Sequence, residues 1–519
     1  MYNASEIKAR VLDPRNGQRG AACCASNATR LALLVGFVSG VAVLASVLTA
    51  WHASAAVPVP SITGPIPGDA PGSLDHNYTF LSTDIPLASY GYVQQEFFMS
   101  GNAMLYSNVG PAPGGVGSSP VQAPTGIPSG YAPYKTNLIV YRPAHAAHFN
   151  GTVILEWANV TSGYNIYPDW NQAADYFINN GYAVVEVSAQ RNGIQGTSNA
   201  LVNWSPIRYG TLDVTDGGVY THDELAYSIF SQAARAVRNN VGNVIGGLPI
   251  KHVIAAGTSQ SAGWLSVYAN ALQPVDNMFD AILLRVGGEL IRADLTIPVF
   301  KLLSESEFDN PSSDNEIPVL QPDRNGGRHG AGGFRIWQVG GTSHSDYWNA
   351  LQAYYVRMRD LGVNTLANTC NYPDLSRIPM HYAIDAAYSA LMKWVHSSVP
   401  PPHSPSIQLV STTPPRSSVD IYGPDVARDS YGNALGGIRL PEMQVPTALN
   451  TGTNTGPALC FLDGTYIPFT PDVLSQLYPT HHDYVSKFAE TAIALYKQGF
   501  LVQADMITAI AAAQKASVP

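Results

Sequence analysis

The chain has 519 residues, 45% of them hydrophobic, and a formal net charge of −9. This length and composition suffice for a large buried core in one or two domains. Only 13% of the residues are charged, about half the usual share, and no basic stripe is present, which excludes nucleic acid as a partner. The many glycines, prolines and tyrosines (46, 38 and 28) indicate a loop-rich protein of a kind often found outside the cytoplasm.

Residues 1–55 are predicted to be a targeting segment. Five basic residues precede an apolar run over residues 31–50, and Ala53-Ser54-Ala55 offers a small-x-small cleavage site. The apolar run is nearly long enough to span a bilayer, so an uncleaved signal anchor is the alternative. Gly36 and Gly40 within the run favour cleavage. We therefore predict a signal peptide and a secreted or periplasmic protein, without a stable membrane partner once the signal is removed.

Apolar runs and helical patterns alternate along the rest of the chain. Strands are predicted over residues 92–106, 135–142, 152–160, 183–189, 252–257, 281–286, 298–303 and 334–339. Helices are predicted over residues 170–179, 223–238, 262–272, 347–360, 382–395, 483–498 and 503–515. This order predicts an α/β fold: a doubly wound, mostly parallel sheet with helices on both faces and a C-terminal helical extension.

A proline-rich stretch over residues 400–405 divides the chain into a core, residues 56–403, and a C-terminal segment, residues 404–519. Cys23 and Cys24 would leave with the signal peptide, so Cys370 and Cys460 are the cysteines that remain. In an oxidising compartment we expect these two to form a disulfide. Such a bond would tie the C-terminal segment to the core, so both are predicted to belong to one domain.

The most informative stretch reads HVIAAGTSQSAGWLSVYANAL, from His252 to Leu272. An apolar strand runs into Gly257-Thr258-Ser259-Gln260-Ser261, and a helix follows. This context predicts a nucleophile elbow, a sharp turn that exposes a serine and needs small residues two positions before and after it. Gly257 and Ser261 are small, so Ser259 is the candidate nucleophile. An ordinary strand-to-helix turn capped by Ser259 is the alternative.

A serine nucleophile needs a histidine base and a carboxylate that orients the histidine. His344 follows the last parallel strand, FRIWQV, and a glycine pair, and is the candidate base. Glu307 is the preferred acid because it lies on the turn after the strand PVFKLL. Three further carboxylates remain open as alternatives: Asp309, Glu305 and, after the preceding strand, Glu289.

The backbone N–H of Gln260 is one expected donor of the oxyanion hole, and Asn159 or Ala158 is expected to supply the second.

Residues 192–221 form a long, irregular and aromatic-rich segment. This segment is predicted to be a wall over the acyl site, with Trp204 and Tyr209 as substrate-binding residues. An ordinary surface loop is the alternative there.

The sequence contains no motif for a metal site, a bound phosphate or a dinucleotide, so neither a metal nor a cofactor is expected.

With these residues in place, the sequence resembles the α/β-hydrolase superfamily, and within it a family of secreted hydrolases named "alpha/beta hydrolase domain", whose elbow reads G-[ET]-S-Q-S. The matching pieces are GYVQQEFFMSGNAMLY, FNGTVILEWANV, GYAVVEVSAQR, YSIFSQAARAVR, GTSQSA, GTSH, GNALGGIRLP and LYPTHHDYV. The resemblance implies an α/β-hydrolase fold and a triad of Ser259, Glu307 and His344. Glu307 stands where relatives often have aspartate.

These residues predict a serine hydrolase that cleaves small-molecule or polymeric carboxylic esters through an acyl-serine intermediate. An acyltransferase or a peptidase with the same triad is the alternative among enzymes. A catalytically silent binding protein on a hydrolase scaffold is the alternative from another class. The intact order of serine, acid and histidine argues against this last reading.

Overall fold

A ten-stranded sheet forms the centre of the described part of the chain, in the order β1-β2-β3-β5-β4-β6-β7-β8-β10-β9. The computed structural model describes residues 57–106, 130–308, 321–326, 332–410, 426–457 and 459–519. The predicted targeting segment and the candidate acid Asp309 lie outside the described residues. The described residues all fall within Ser54–Pro519, which is one compact unit.

Eight strands of this sheet match the predicted runs, and two short edge strands, β1 and β9, were not predicted. Their bounds are β1 (Ser61–Thr63), β2 (Tyr92–Met104), β3 (Tyr131–Pro143), β4 (Thr152–Trp157), β5 (Ala183–Val187), β6 (His252–Thr258), β7 (Ala281–Arg285), β8 (Val299–Ser304), β9 (Arg324–Asn325) and β10 (Gly333–Val339). Neighbouring strands from β5 through β4, β6, β7 and β8 to β10 pair in parallel. The remaining pairs, at the two ends of the sheet, are antiparallel.

The central strands are buried along their whole length, which explains why their sequences are apolar without alternation. In β6, Val253 pairs with Val153 of β4, and Ala255 pairs with Ile282 of β7. The carboxyl ends of these parallel strands therefore meet at one edge of the sheet. Residues that follow β6, β8 and β10 can converge there.

Helices pack around the sheet. Their bounds are α1 (Pro168–Asn179), α2 (Arg191–Ile194), α3 (Leu201–Trp204), α4 (Pro206–Tyr209), α5 (Ala226–Arg238), α6 (Gln260–Ala271), α7 (Gln273–Asp276), α8 (Tyr347–Leu361), α9 (Met380–Ser397), α10 (Pro441–Gln444), α11 (Pro471–Leu477), α12 (His481–Gln498) and α13 (Gln503–Lys515). Helix α1 contacts α8 and α9, and α6 contacts β6 and β7. The predicted fold class is confirmed. In the described part of the chain, no helix has the length and apolarity needed to cross a membrane.

The C-terminal segment adds to the edge of the sheet and carries a small hairpin of its own, β11 (Ala448–Thr451) and β12 (Thr465–Pro468). Ile438 forms a parallel bridge with Val339 at the end of β10, through Ile438 N–H to Gln338 O (2.7 Å) and Gly340 N–H to Ile438 O (3.0 Å). The Cys370–Cys460 disulfide is present. The hairpin was not predicted, because its strands are too short to give a pattern.

Candidate active site

The turn between β6 and α6 holds Ser259 in a strained backbone conformation, with φ 59° and ψ −121°. A non-glycine residue with positive φ is uncommon, and it is the expected geometry of a nucleophile elbow. Ser259 N–H donates to Arg285 O at the end of β7 (2.9 Å). Gly257 permits the turn, because a Cβ there would lie 2.9 Å from Ser261 O. Ser259 itself is half-buried.

A buried polar network lies next to this turn. The Thr258 hydroxyl donates to Asp169 Oδ2 (2.9 Å), and the Tyr388 hydroxyl donates to Asp169 Oδ1 (2.6 Å). Arg285 Nε lies 2.9 Å from Asp169 Oδ1, and both side chains are almost completely buried. Glu156 accepts the N–H groups of Asp169 and Trp170 at the start of α1 (2.8 and 3.1 Å). Burial raises the pKa of Glu156 well above its usual range, and the charge of Asp169 raises it further.

His344 and Glu307 come together after β10 and β8. His344 Nδ1 lies 2.7 Å from Glu307 Oε1, with the histidine side chain 15% exposed and the glutamate side chain 7% exposed. The second oxygen, Glu307 Oε2, accepts from the N–H and the hydroxyl of Ser304 (2.7 and 2.8 Å). The carboxylate is therefore fixed by the end of β8 and can hold one tautomer of the histidine.

Glu305 and Glu289 occupy other places. Glu305 is completely buried and accepts from Gly341 N–H (2.6 Å) and Gly452 N–H (3.1 Å), and it pairs with Arg428 (2.8 Å). It thus joins the end of β8 to the turn after β10 and to the C-terminal segment. Glu289 follows β7 and is half-buried, and its N–H donates to Ser266 Oγ (2.9 Å). In the described residues, Glu307 is the candidate acid that contacts His344.

The loop that carries His344, residues 340–346, is held by several neighbours. His344 N–H donates to Ser306 Oγ (2.9 Å), and Ser345 N–H donates to Leu462 O (3.0 Å). Asp346 caps α8 through Asn349 N–H (2.8 Å) and accepts Met380 N–H at the start of α9 (3.1 Å). Burial raises the pKa of Asp346 to about 6. The loop therefore has little freedom.

No hydrogen bond joins Ser259 Oγ to His344 within the described part of the chain. Catalytic hydrogen bonds are often long before substrate binds, and they tighten in the complex. The structure thus brings His344 and Glu307 into direct contact. It places Ser259 on the elbow at the end of β6, at the same carboxyl edge of the sheet, and β7 lies between β6 and β8.

The prediction of the second oxyanion donor does not agree with the structure. Asn159 N–H donates to Ile166 O (2.9 Å), and Ala158 N–H donates to Val187 O (3.1 Å), so both amides are already used. The Asn159 side chain instead donates to Thr258 O (3.0 Å) and thereby supports the elbow. Gln260, the first residue of α6, has no acceptor for its N–H within the helix and remains the candidate donor.

The substrate-binding prediction also needs correction. Tyr209 is completely buried; its hydroxyl donates to Glu96 (2.8 Å) and accepts from Phe80 N–H (2.9 Å). Trp204 stacks on His76 at 4.6 Å, and its Nε1 donates to Asp360 O (3.0 Å). The segment predicted as irregular contains the short helices α2, α3 and α4, which pack Tyr209 into the core. Tyr209 therefore serves packing in the core, and Trp204 packs on His76.

A family model described as alpha/beta hydrolase domain matches residues 62–511. The chain belongs to this alpha/beta hydrolase family. The match covers the elbow, the Glu307–His344 pair and most of the C-terminal segment. No curated protein matches the chain at a significant level.

Solved structures similar to this alpha/beta hydrolase include an α/β serine hydrolase without a lid from Xanthomonas campestris (12% identity, TM-score 0.26, 50% of this chain and 93% of that chain). The esterase Est22 is 10% identical, with TM-score 0.26 over 53% of this chain and 70% of its own. Oligopeptidase B from Trypanosoma brucei is 11% identical, with TM-score 0.28 over 53% of this chain and 38% of its own. The chain also spans only 36% of a prolyl endopeptidase that it matches.

Proposed function

We propose that this hydrolase cleaves carboxylic esters through an acyl-serine intermediate, with Ser259 as nucleophile, His344 as base and Glu307 as the orienting acid. The observation that carries the proposal is the 2.7 Å contact between His344 Nδ1 and Glu307 Oε1. It supplies a histidine whose other nitrogen, Nε2, is left to accept a proton. The strained elbow supplies the serine.

The reaction follows from these roles. As Ser259 Oγ attacks the ester carbonyl, His344 Nε2 takes its proton and Glu307 stabilises the resulting imidazolium. The Gln260 N–H, at the start of α6, donates to the oxyanion, which the positive end of the helix also favours. The imidazolium then gives its proton to the leaving alkoxide. Water, activated by the same histidine, attacks the acyl-serine and releases the acid.

We also propose that the chain is exported, with residues 1–55 as its signal peptide, and that residues 56–403 and 404–519 form one functional domain. The Cys370–Cys460 bond supports this proposal, since disulfides persist mainly in oxidising compartments. The hydrogen bond from Ser345 N–H to Leu462 O supports the domain assignment, because it joins the His344 loop to the C-terminal segment.

The experiment that tests the function is labelling with a fluorophosphonate probe, followed by mapping of the modified peptide and by assays with p-nitrophenyl acetate. Wild-type protein should be labelled at Ser259, and Ser259→Ala should lose the label and retain less than about a thousandth of the activity. Ser475→Ala, an exposed serine in α11, is the matched control and should behave as wild type. Labelling at another residue, or an active Ser259→Ala protein, contradicts the triad. Activity on peptides but not esters contradicts the substrate class alone.

A further inference from the structure

A turn of the C-terminal segment, residues 460–464, lies directly against the His344 loop. Ser345 N–H donates a hydrogen bond to Leu462 O (3.0 Å). Ser345 follows His344, and Leu462 precedes Asp463, so the two loops are joined next to both residues. A Cβ at Gly464 would lie 2.7 Å from Ser343 Cβ, which shows how closely the backbones approach. The two segments are therefore packed without intervening side chains at this point.

A covalent bond holds the 460–464 turn in this position. Cys460, the first residue of the turn, is bonded to Cys370. On the other side of the turn, Ser376 N–H donates to Asp463 O (3.4 Å), and the Ser376 hydroxyl donates to Gly341 O in the His344 loop (2.7 Å). The disulfide and Ser376 thus fix the turn at its two ends.

The Asp463 side chain is half-buried in this turn. In the described residues, no N–H or O–H group donates to its carboxylate. Its Oδ2 lies 3.5 Å from Cys370 Sγ, but a disulfide sulfur has no proton to give. For the same reason, the cysteine pair and Asp463 do not form a metal site, although their ligand atoms lie close together. Burial raises the pKa of Asp463 to about 6, and the charge of His344 opposes this effect. The hydrogen bond from Ser345 N–H to Leu462 O places Asp463, the next residue, beside the loop that carries His344.

We propose that Asp463 is a positioning residue for His344, a second carboxylate held beside it by the Cys370–Cys460 disulfide. The inference rests on the proposed function, because it assigns Asp463 a role in stabilising the imidazolium that forms when His344 takes the Ser259 proton. Glu307 fixes the tautomer through direct contact, whereas Asp463 contributes charge without a direct hydrogen bond. A carboxylate that makes no structural hydrogen bond is otherwise costly to bury.

The test compares kcat and KM of wild type and Asp463→Asn for p-nitrophenyl acetate between pH 5 and pH 8. Asparagine keeps the shape of the side chain and removes its charge. We expect kcat of the variant to fall about tenfold at pH 8 with KM unchanged, because the positive charge that forms on His344 in the transition state loses a partly buried negative charge. The ratio of wild-type to variant kcat should shrink toward one as the pH falls below about 6, because Asp463 is then neutral in the wild type too.

The control is Asp472→Asn, an exposed carboxylate in α11 that should change neither kcat nor its pH dependence. A kcat ratio for Asp463→Asn that stays constant with pH indicates a structural role, and a ratio near one at pH 8 indicates none, so either result overturns the inference. The proposed function fails separately, through an active Ser259→Ala protein.

A second measurement applies if Asp463→Asn does not fold. A phosphine reductant converts the Cys370–Cys460 bond into two thiols in the wild-type protein, and kcat is then measured at a temperature at which the reduced protein stays folded. The inference predicts a drop in kcat at pH 8 that is weaker at pH 5. Unchanged kcat in protein shown to be reduced overturns it.

Discussion

The Thr258 hydroxyl donates a hydrogen bond to Asp169 Oδ2 (2.9 Å). The residue just before the candidate nucleophile is therefore hydrogen-bonded to the start of α1. Asp169 also accepts from Tyr388 of α9 and pairs with Arg285, whose carbonyl accepts Ser259 N–H. Four elements thus meet at one buried carboxylate beside the elbow. Because a strained backbone persists only where its surroundings determine it, this network explains how Ser259 keeps its conformation.

We expect Thr258→Val to lower kcat about tenfold, because the elbow loses the hydrogen bond that fixes the position of Ser259. Small displacements of a nucleophile slow the reaction. The buried Asp169 also loses a donor, which should destabilise the fold by about 1–3 kcal/mol. The measurements are kcat for p-nitrophenyl acetate and the melting temperature.

Thr258→Ser is the matched control, since it keeps the hydroxyl and should recover most of the lost kcat. If valine and serine at this position give equal kcat and differ only in melting temperature, the bond serves stability and not the placement of Ser259.

Glu307→Gln should lower activity, whereas Glu305→Gln should lower stability. Glu307→Gln removes the charge that orients His344, so kcat should fall about 10³-fold or more while the fold remains intact. Glu305→Gln breaks a buried ion pair with Arg428, so it should cost about 3 kcal/mol of stability and leave most of kcat at a temperature where the protein is folded. Steady-state kinetics and thermal unfolding of both variants separate these effects. A large loss of kcat in Glu305→Gln with an active Glu307→Gln would reverse the assignment of the acid.

The sequence predicted those parts of the molecule that have a local signal. The central strands are apolar runs, and the long helices show their periodicity, so both lie close to where they are expected. The short edge strands β1 and β9 give no such pattern and were not predicted. Ser259 is predicted to be the nucleophile from the small residues around it, and the structure shows the strained turn that this prediction needs. His344 and Glu307 were placed because each follows a strand whose carboxyl end points to the same edge of the sheet.

The remaining site residues depend on contacts between distant segments. Asp169 lies 89 residues from Thr258 and 219 from Tyr388, and no local pattern distinguishes it from an ordinary helix-start aspartate. The prediction that the Asn159 N–H lines the oxyanion hole is wrong, because this N–H donates to Ile166 O in an isolated β-bridge. No sequence pattern indicates that bridge. Tyr209 was predicted to face substrate because it lies in an irregular stretch, but Glu96, on a distant strand, binds its hydroxyl in the core.

The pair of Asp385 in α9 and Asp505 in α13 should make stability depend on pH. Burial raises the pKa of Asp385 well above its usual value of 3.8, and the charge and hydrogen bond of Asp505 raise it further. The folded state therefore binds more protons than the unfolded state above about pH 4, so stability should decline as the pH rises from that point. Asparagine mimics the protonated carboxyl, so Asp385→Asn should raise the melting temperature at pH 8 by about 3 °C and not at pH 4.

Asp385 and Asp505 line a cavity of about 880 Å³. Asp84 lines the same cavity but has an exposed side chain, so Asp84→Asn is the control for this pair. It should leave the melting temperature unchanged at both pH values. Equal melting temperatures of wild type and Asp385→Asn at pH 8 would show that the buried pair carries no net cost there.

The last prediction concerns the order in which the protein loosens when the disulfide is removed. The Cys370–Cys460 bond closes a loop with a sequence separation of 90 residues, so its loss should destabilise the fold by about 4–5 kcal/mol and lower the melting temperature by about 5 °C. Hydrogen–deuterium exchange of a Cys370→Ser/Cys460→Ser variant should rise first around β11 and β12, while β6 and α6 stay protected, since β6 lies in the centre of the sheet. Wild-type protein treated with reductant should give the same pattern. Two free thiols in freshly purified mature protein would contradict the pairing itself, and early exchange in β6 would show that the disulfide supports the whole core.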